Sequence, residues 1–331
     1  MNDQHIAVLC DSGTDTPEAF VHAHDVRVVP LRINYSDGTS YQSGVDITAD
    51  EVIERFKDEI PTTSLPTPEA IRQALEQAKA DGYEKAVIVT ISSGLSATFQ
   101  TAELVAHMMD DFPIVCIDTK NIGLAAGMVV QRAVELIESG VPFEELEARL
   151  TKAAENTRVF FSCKTLEYLR KGGRINEATY RLGSMLNIKP VISCDKQGYY
   201  FAVKKARGWE KALATEVKLA REWSVFFEKV RLGICCTNAL DVFDEMEEKL
   251  RAAVPNALPD IQRTLISPDL LIHTGPELVG VSVIPATEED PARKHRMHRA
   301  PYVRQWAGHG RKCKRGRHPW KTISANSSTL W

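Results

Sequence analysis

The sequence predicts an α/β protein of two units, a parallel-sheet α/β domain followed by a smaller α+β domain. Residues 1–157 form an N-terminal parallel-sheet α/β domain, residues 158–285 a smaller α+β domain, and residues 286–331 a basic irregular tail. Three observations carry this reading. Short apolar runs bounded by polar turns alternate with amphipathic stretches through the first half. After residue 157 the pattern changes to a hairpin signal followed by a long helix. The length of 331 residues also exceeds the usual span of one domain.

The elements follow in order. Ile6 to Cys10 is an apolar run, read as a buried strand. Thr16 and Pro17 have the N-cap and first-position chemistry of a helix start. Val26 to Tyr35 reads as a second strand, and Ser36-Asp37-Gly38-Thr39 as a turn. Thr48 and Glu51 are spaced as a capping box, so Thr48 to Lys57 reads as a helix. Thr67 and Pro68 open the next helix. Val87 to Ile91 is a strand, Ser96 to Met109 a helix capped by Ser96, and Ile114 to Ile117 a strand. Ala125 to Ile137 is an apolar helix and Phe143 to Ala154 an amphipathic one. In the second half Val159 to Cys163 is a strand. A short helix from Leu166 is stopped by Gly172-Gly173, and another spans Leu182 to Ile188. Pro190 to Cys194 and Tyr199 to Val203 flank the turn Asp195-Lys196-Gln197-Gly198. Trp209 to Phe227 and Val242 to Leu250 are helices; Arg231 to Cys236 and Leu278 to Ile284 are strands.

Composition narrows the class. Hydrophobic residues make up 44% and charged residues 26%, the balance of a soluble globular chain. No apolar run approaches the roughly 20 residues of a membrane span. The N-terminus Met1-Asn2-Asp3-Gln4-His5 lacks the basic and apolar regions of a signal peptide, so a cytoplasmic location is expected. None of the seven cysteines forms a C-x-x-C pair; buried reduced thiols are expected, and no metal. Residues 286–331 hold 11 Lys and Arg against 3 Asp and Glu, which leaves 30 against 41 in residues 1–285. An acidic body does not suggest nucleic-acid binding. The basic tail has no helical or strand period and reads as a disordered or poorly docked extension, with transient contact with an anionic membrane, or contact with nucleic acid, as the functional alternative.

Two hydroxyl-rich turns about thirty residues apart carry the chemistry. The first contains Thr62-Thr63-Ser64 and the second Ser92-Ser93-Gly94-Leu95-Ser96. A cap uses one side-chain oxygen for one backbone donor, so a doubled or tripled hydroxyl leaves oxygens free for a ligand. Helix starts with free N–H groups suit a carboxylate or phosphate. Arg174, after two glycines, has the surroundings of an anion clamp. His273, after the apolar Leu270-Leu271-Ile272 and before Gly275-Pro276, has two readings: a structural histidine, or a carboxylate ligand or acid–base group at a strand end. Asp11, Asp15 and Asp118 follow predicted strands and read first as turn formers and helix caps; at the carboxyl ends of parallel strands they would also gather near a binding crevice. There is no G-x-S-x-G elbow, Walker loop or G-x-G-x-x-G fingerprint. Capping alone and ligand capture stand close to even for the hydroxyl turns on this pattern.

Several segments in register resemble the DegV family of fatty-acid-binding proteins. They are Cys10-Asp11-Ser12 with Asp15, Thr63-Ser64-Leu65-Pro66-Thr67, Ser92 to Thr98, Thr165 to Ile175, Leu182 to Pro190, Ala206-Arg207-Gly208 and His273-Thr274-Gly275-Pro276, covering about residues 5–285. The resemblance implies a two-domain protein without chemistry of its own that holds one long-chain fatty acid between its domains. The carboxylate ligands it implies are Thr63 and Ser96, with Ser93 and Ser64 beside them and Arg174 and His273 completing the set. It implies no cofactor, and presentation of the acyl carboxylate to a separate fatty-acid kinase subunit for acyl-phosphate formation and phospholipid synthesis. Arg207 would lie at the docking face. Glu277 departs from the family's Gly-Pro-Gly, and a carboxylate there must point away from the ligand or pair. The other class kept open is an enzyme on a small phosphorylated or carboxylated metabolite, with His273 as acid–base group and Arg174 as anion clamp.

Overall fold

A computed structural model describes residues 1–183, 187–238 and 240–287. Strand β1 (Ile6–Asp11) is buried along its whole length. A 3-10 turn (Ser12–Thr14) and helix α1 (Glu18–Ala23) follow. Thr16 does not cap α1; Pro17 takes the N-cap position, and the Thr16 hydroxyl lies 2.9 Å from Thr14 Oγ1 instead. The single strand that the sequence predicts over Val26–Tyr35 is two, β2 (Arg27–Val29) and β3 (Arg32–Asn34), which enter different sheets. Pro30 stands between them and has no N–H to give a ladder. The Ser36–Thr39 turn joins β3 to β4 (Ser40–Gln42), and helix α2 (Ala49–Arg55) carries the Thr48–Glu51 capping box.

Strand β5 (Thr62–Ser64) precedes helix α3 (Pro68–Ala80), where Thr67 Oγ1 accepts from the Ala70 N–H at 3.1 Å. Strand β6 (Lys85–Thr90), helix α4 (Thr98–Ala106), strand β7 (Ile114–Asp118) and helices α5 (Leu124–Glu138) and α6 (Phe143–Asn156) complete this half. The second half runs β8 (Arg158–Cys163), α7 (Glu167–Lys171), α8 (Glu177–Gly183), β9 (Ile188–Cys194), β10 (Tyr200–Arg207), α9 (Trp209–Ser224), β11 (Val230–Cys236), α10 (Asp241–Ala253), β12 (Ala257–Leu265), α11 (Pro268–Thr274) and β13 (Leu278–Pro285). Of the helix predicted over Leu182–Ile188, residues 184–186 lie outside the described residues; Leu182 and Gly183 end α8, and Ile188 opens β9. Strand β12 is an edge strand whose residues are mostly half-buried or exposed, so it shows no apolar run. Of the tail predicted over 286–331, residues 288–331 lie outside the described residues.

Strands β2-β1-β6-β7 form a fully parallel sheet, as the alternating pattern predicts. Strands β10-β9-β8-β13-β11-β12 form a mixed sheet, and β4-β3-β5 a small antiparallel one. The six described cysteines are free thiols. Among the described residues no helix is long and apolar enough to cross a membrane.

Helix α5 joins the two large sheets. Thirteen of its fifteen residues are buried, including apolar side chains on every side. It packs on β1 and β6 of the parallel sheet and on β13 and β11 of the mixed sheet. A helix that is apolar all round has no solvent face, and this one serves two cores at once. The fit is close at Gly233 of β11, where an added Cβ would meet Leu124 Cδ2 at 2.4 Å and the Met128 methyl at 2.7 Å. Overpacking of this kind costs about 1–3 kcal/mol. Gly233→Val is therefore expected to lose that amount in equilibrium denaturation; an unchanged midpoint and slope would contradict the packing of α5 described here.

Candidate functional site

A cavity of about 570 Å³ opens beyond the carboxyl ends of β1 and β6, beside the start of α5. Ligand crevices of parallel sheets lie at this end because loops and helix N-termini converge there. Leu31, Ile91, Ile122 and Leu270 supply its apolar wall. Thr63, Ser96, His273 and Arg174 line it too.

Thr63 reaches the cavity from β5, not from a helix start as the sequence reading has it. Strand β5 pairs with β3, Thr63 opposite Ile33, and alternation turns Thr63 inward while Thr62 and Ser64 are exposed. Ser64 borders the cavity, but its hydroxyl accepts from Asn34 Nδ2 at 3.1 Å. Ser96 also differs from its predicted role. Ala97 occupies the N-cap of α4 and offers no side-chain oxygen. Ser96 Oγ lies 2.8 Å from Thr98 Oγ1 and faces the cavity. The start of α4 thus presents backbone donors and a positive dipole end without a strong internal cap.

The serines between them divide the work. Ser92 is fully buried and donates to the Gly198 carbonyl at 2.9 Å, tying this turn to the β9–β10 hairpin. Ser93 Oγ accepts from Lys120 Nζ at 2.6 Å, and Lys120 is ion-paired with Asp118. Asp118 also accepts from the Ser93 N–H at 3.1 Å, so it shapes the turn instead of entering the cavity. The sequence reading missed Lys120, which gives no motif; only its place after a parallel strand marks it.

His273 sits in the short helix α11, not at a strand end. Seven residues are too few to show a helical period, although Ser267-Pro268 and Gly275 bracket the segment as a helix start and stop. His273 Nε2 is 2.7 Å from Thr63 Oγ1. Its Nδ1 is buried without a partner and faces Gly172, where a Cβ would lie 2.1 Å from that nitrogen. This explains one glycine of the Gly-Gly-Arg run: any side chain would displace the ring. A proton on Nδ1 would be a buried orphan donor, so the tautomer with the proton on Nε2 is favoured. Nε2–H then donates to Thr63 Oγ1, and the threonine's own O–H is left to donate into the cavity. Burial, followed by the nearby Arg174 charge, pushes the imidazole down to about 3, so it is neutral at physiological pH.

Arg174 is the one cation lining the cavity among the described residues. Its Nε donates to the Leu95 carbonyl at 3.1 Å and Nη1 to the Gly172 carbonyl at 2.5 Å. Nη2 has no protein partner among the described residues. Burial lowers its pKa from the usual arginine range. Glu277 does not intrude: it is exposed and ion-paired with Lys164. Arg207 stands apart from the cavity, exposed at the end of edge strand β10 beside exposed Lys204 and Lys205.

Beneath the site lie three buried carboxyls. Asp11 Oδ2 accepts from the Ile91 N–H and Asp15 Oδ1 from the Ser267 N–H, each at 2.9 Å. Asp269 Oδ1 accepts from the hydroxyls of Ser12, at 3.1 Å, and Ser43. These contacts fix the first turn of α11 and hence His273 one turn later. Asp269 and Ser43 escaped the sequence reading, since their partners are more than two hundred residues apart. Burial raises all three carboxyls, Asp11 to about 8, and the neighbouring Asp269 charge adds to the effect at Asp11 and Asp15.

The residues 5–286 match the family model described as "Uncharacterised protein, DegV family". The chain belongs to the DegV family. A DegV domain-containing protein of Clostridium perfringens is 36% identical over 284 residues, covering 85% of this chain and 98% of the relative. A DegV family protein from Thermus thermophilus, described as fatty acid binding, aligns with a TM-score of 0.78 at 32% identity, over 85% of this chain and 99% of that one. A stearic acid-binding protein from Eubacterium ventriosum aligns at 0.77 with 26% identity, over 85% and 98%. The DegV fold is thus the α/β arrangement of parallel and mixed sheets described above.

The buried titrations make a prediction with a definite sign. His273 is held low, so it costs stability as pH falls from about 6.5 toward 3. Asp11 is held high, so stability falls as pH rises from its unfolded value of 3.8 through about 8. Between pH 6.5 and 8 only the carboxyl effect operates. In denaturant unfolding, Asp11→Asn should gain on the wild type as pH is raised through that interval; a constant difference would contradict a protonated Asp11.

Proposed function

We propose that this protein binds one long-chain fatty acid in the cavity, its carboxylate held by Thr63 and Ser96 near Arg174, and has no chemistry of its own. The observation that carries this is the Thr63–His273 pair at the cavity mouth. A neutral imidazole commits the threonine proton outward, toward an acceptor, beside the open start of α4 and a free guanidinium nitrogen. Ser93 and Ser64 stand next to this set with their hydroxyls already engaged, so they serve as supports. Fatty-acid binding in the Thermus thermophilus and Eubacterium ventriosum proteins supports the reading. Each buried CH₂ contributes about 0.8 kcal/mol, so the apolar wall provides most of the affinity. Hydroxyl donors offset the cost of desolvating the carboxylate. The ligand lies between the units 1–157 and 158–285, which both contribute lining residues.

The next step in this reading is presentation of the bound carboxylate to a separate ATP-using fatty-acid kinase subunit in the cytoplasm, which phosphorylates it to an acyl-phosphate for phospholipid synthesis. The basic edge of β10, with Arg207, is the docking candidate. The enzyme alternative, with His273 as acid–base group, is disfavoured by the same geometry. An imidazole held at about 3 takes up no proton near neutral pH, and Nδ1 has no group to orient it.

Native mass spectrometry of the mildly purified protein is expected to show one bound fatty acid. No lipid, and no exchange with added fatty acid, would contradict the binding. Thr63→Ala combined with Ser96→Ala removes two hydrogen bonds to a charged group and should weaken binding by about tenfold or more. Unchanged affinity would refute these two ligands.

A further inference from the structure

One hydroxyl in the cavity is left without a partner by the protein. Tyr200, the first residue of β10, is 7% exposed and lines the cavity. Its ring stands edge-on to Phe161, with centroids 5.2 Å apart and planes at 67°, inside an apolar cluster that includes Ile122, Ile192 and Leu270. The ring is therefore held in place by its packing. Among the described residues nothing donates to or accepts from that oxygen, although it keeps accessible surface. Burial raises the phenol well above its usual range, so it stays a neutral O–H donor.

Thr274 Oγ1 donates to the Leu270 carbonyl at 3.0 Å, and Asp269 Oδ1 accepts from Ser12 and Ser43, while Asp269 Oδ2 is buried against Gly13. Besides Thr63 and Arg174, already assigned to the carboxylate, Tyr200 presents an unused donor. A plain hydrocarbon chain filling the cavity would desolvate this hydroxyl and give it nothing in return, which is unfavourable. Phenylalanine would supply the same packing without that cost. A site built to hydrogen-bond a ligand oxygen discriminates strongly against the analogue that lacks it.

We infer that Tyr200 is a specificity-determining residue, and that the cavity prefers a long-chain fatty acid carrying a hydroxyl along its chain, whose oxygen accepts from the Tyr200 O–H. The inference rests on the fatty-acid reading above and narrows its ligand class.

The test compares stearic acid with a positional series of monohydroxystearic acids, by competition binding to the full chain and to Tyr200→Phe. The wild type is expected to bind at least one hydroxystearic acid about tenfold or more tighter than stearic acid. In Tyr200→Phe the same ratio should fall to about one, whatever happens to the affinity for stearic acid itself. If the wild type binds the whole series no tighter than stearic acid, a water satisfies Tyr200 and the inference is overturned; this arm stands even where the variant fails to fold. A preference that persists in Tyr200→Phe also overturns it. Binding of both acids without preference leaves the fatty-acid reading standing, whereas binding of neither removes both.

Discussion

Everything at the site depends on α5 being shared by two sheets. Its burial on both sides makes the parallel and mixed sheets halves of one packing problem. The helix starts where the cavity is: Ile122 lines the wall, and Gly123, with φ of 58°, lies against Asp15. At Gly127 an added Cβ would lie 2.5 Å from the Thr14 carbonyl, so the turn after β1 is pressed directly onto the helix. The turn that presents Asp11, Ser12 and Asp15 is therefore positioned by the same helix that sets the sheet spacing.

Around that space charge is kept scarce. The imidazole is neutral, the buried carboxyls are driven toward their protonated forms, and Arg174 remains as a cation half engaged by carbonyls. A strong fixed positive charge would bind any small anion. Hydroxyls and a helix start bind a carboxylate weakly on their own and rely on the apolar wall for the rest. In the proposed reading this division makes chain and headgroup both necessary, which would select an amphipathic ligand over a soluble metabolite.

Elements with a local cause were legible in the sequence. The parallel strands, the Thr48–Glu51 capping box, the β9–β10 hairpin and the apolar α5 all follow from period and turn chemistry. The hydroxyl turns were visible as unusual, but their geometry was not. Thr63 looked like part of a helix start because Thr67-Pro68 does open one; the intervening β5 is only three residues, and its pairing partner lies thirty residues away. Strand β12 shows little apolar signal because it is an edge, and α11 is too short for a period. Lys120, Ser43, Asp269 and Tyr200 matter through contacts made across the fold, which no local pattern announces. The DegV resemblance singled out segments that meet at the cavity, while the partner of each hydroxyl among them needed coordinates.

The central claim is that Thr63, set by neutral His273, meets a fatty-acid carboxylate together with Ser96. The most direct measurement is a crystal structure of the protein soaked with stearic acid. The account predicts carboxylate oxygens about 3 Å from Thr63 Oγ1 and Ser96 Oγ, with the chain running along Leu31, Ile122 and Leu270. A chain bound elsewhere, or one entering the cavity with its carboxylate away from both hydroxyls, would contradict it.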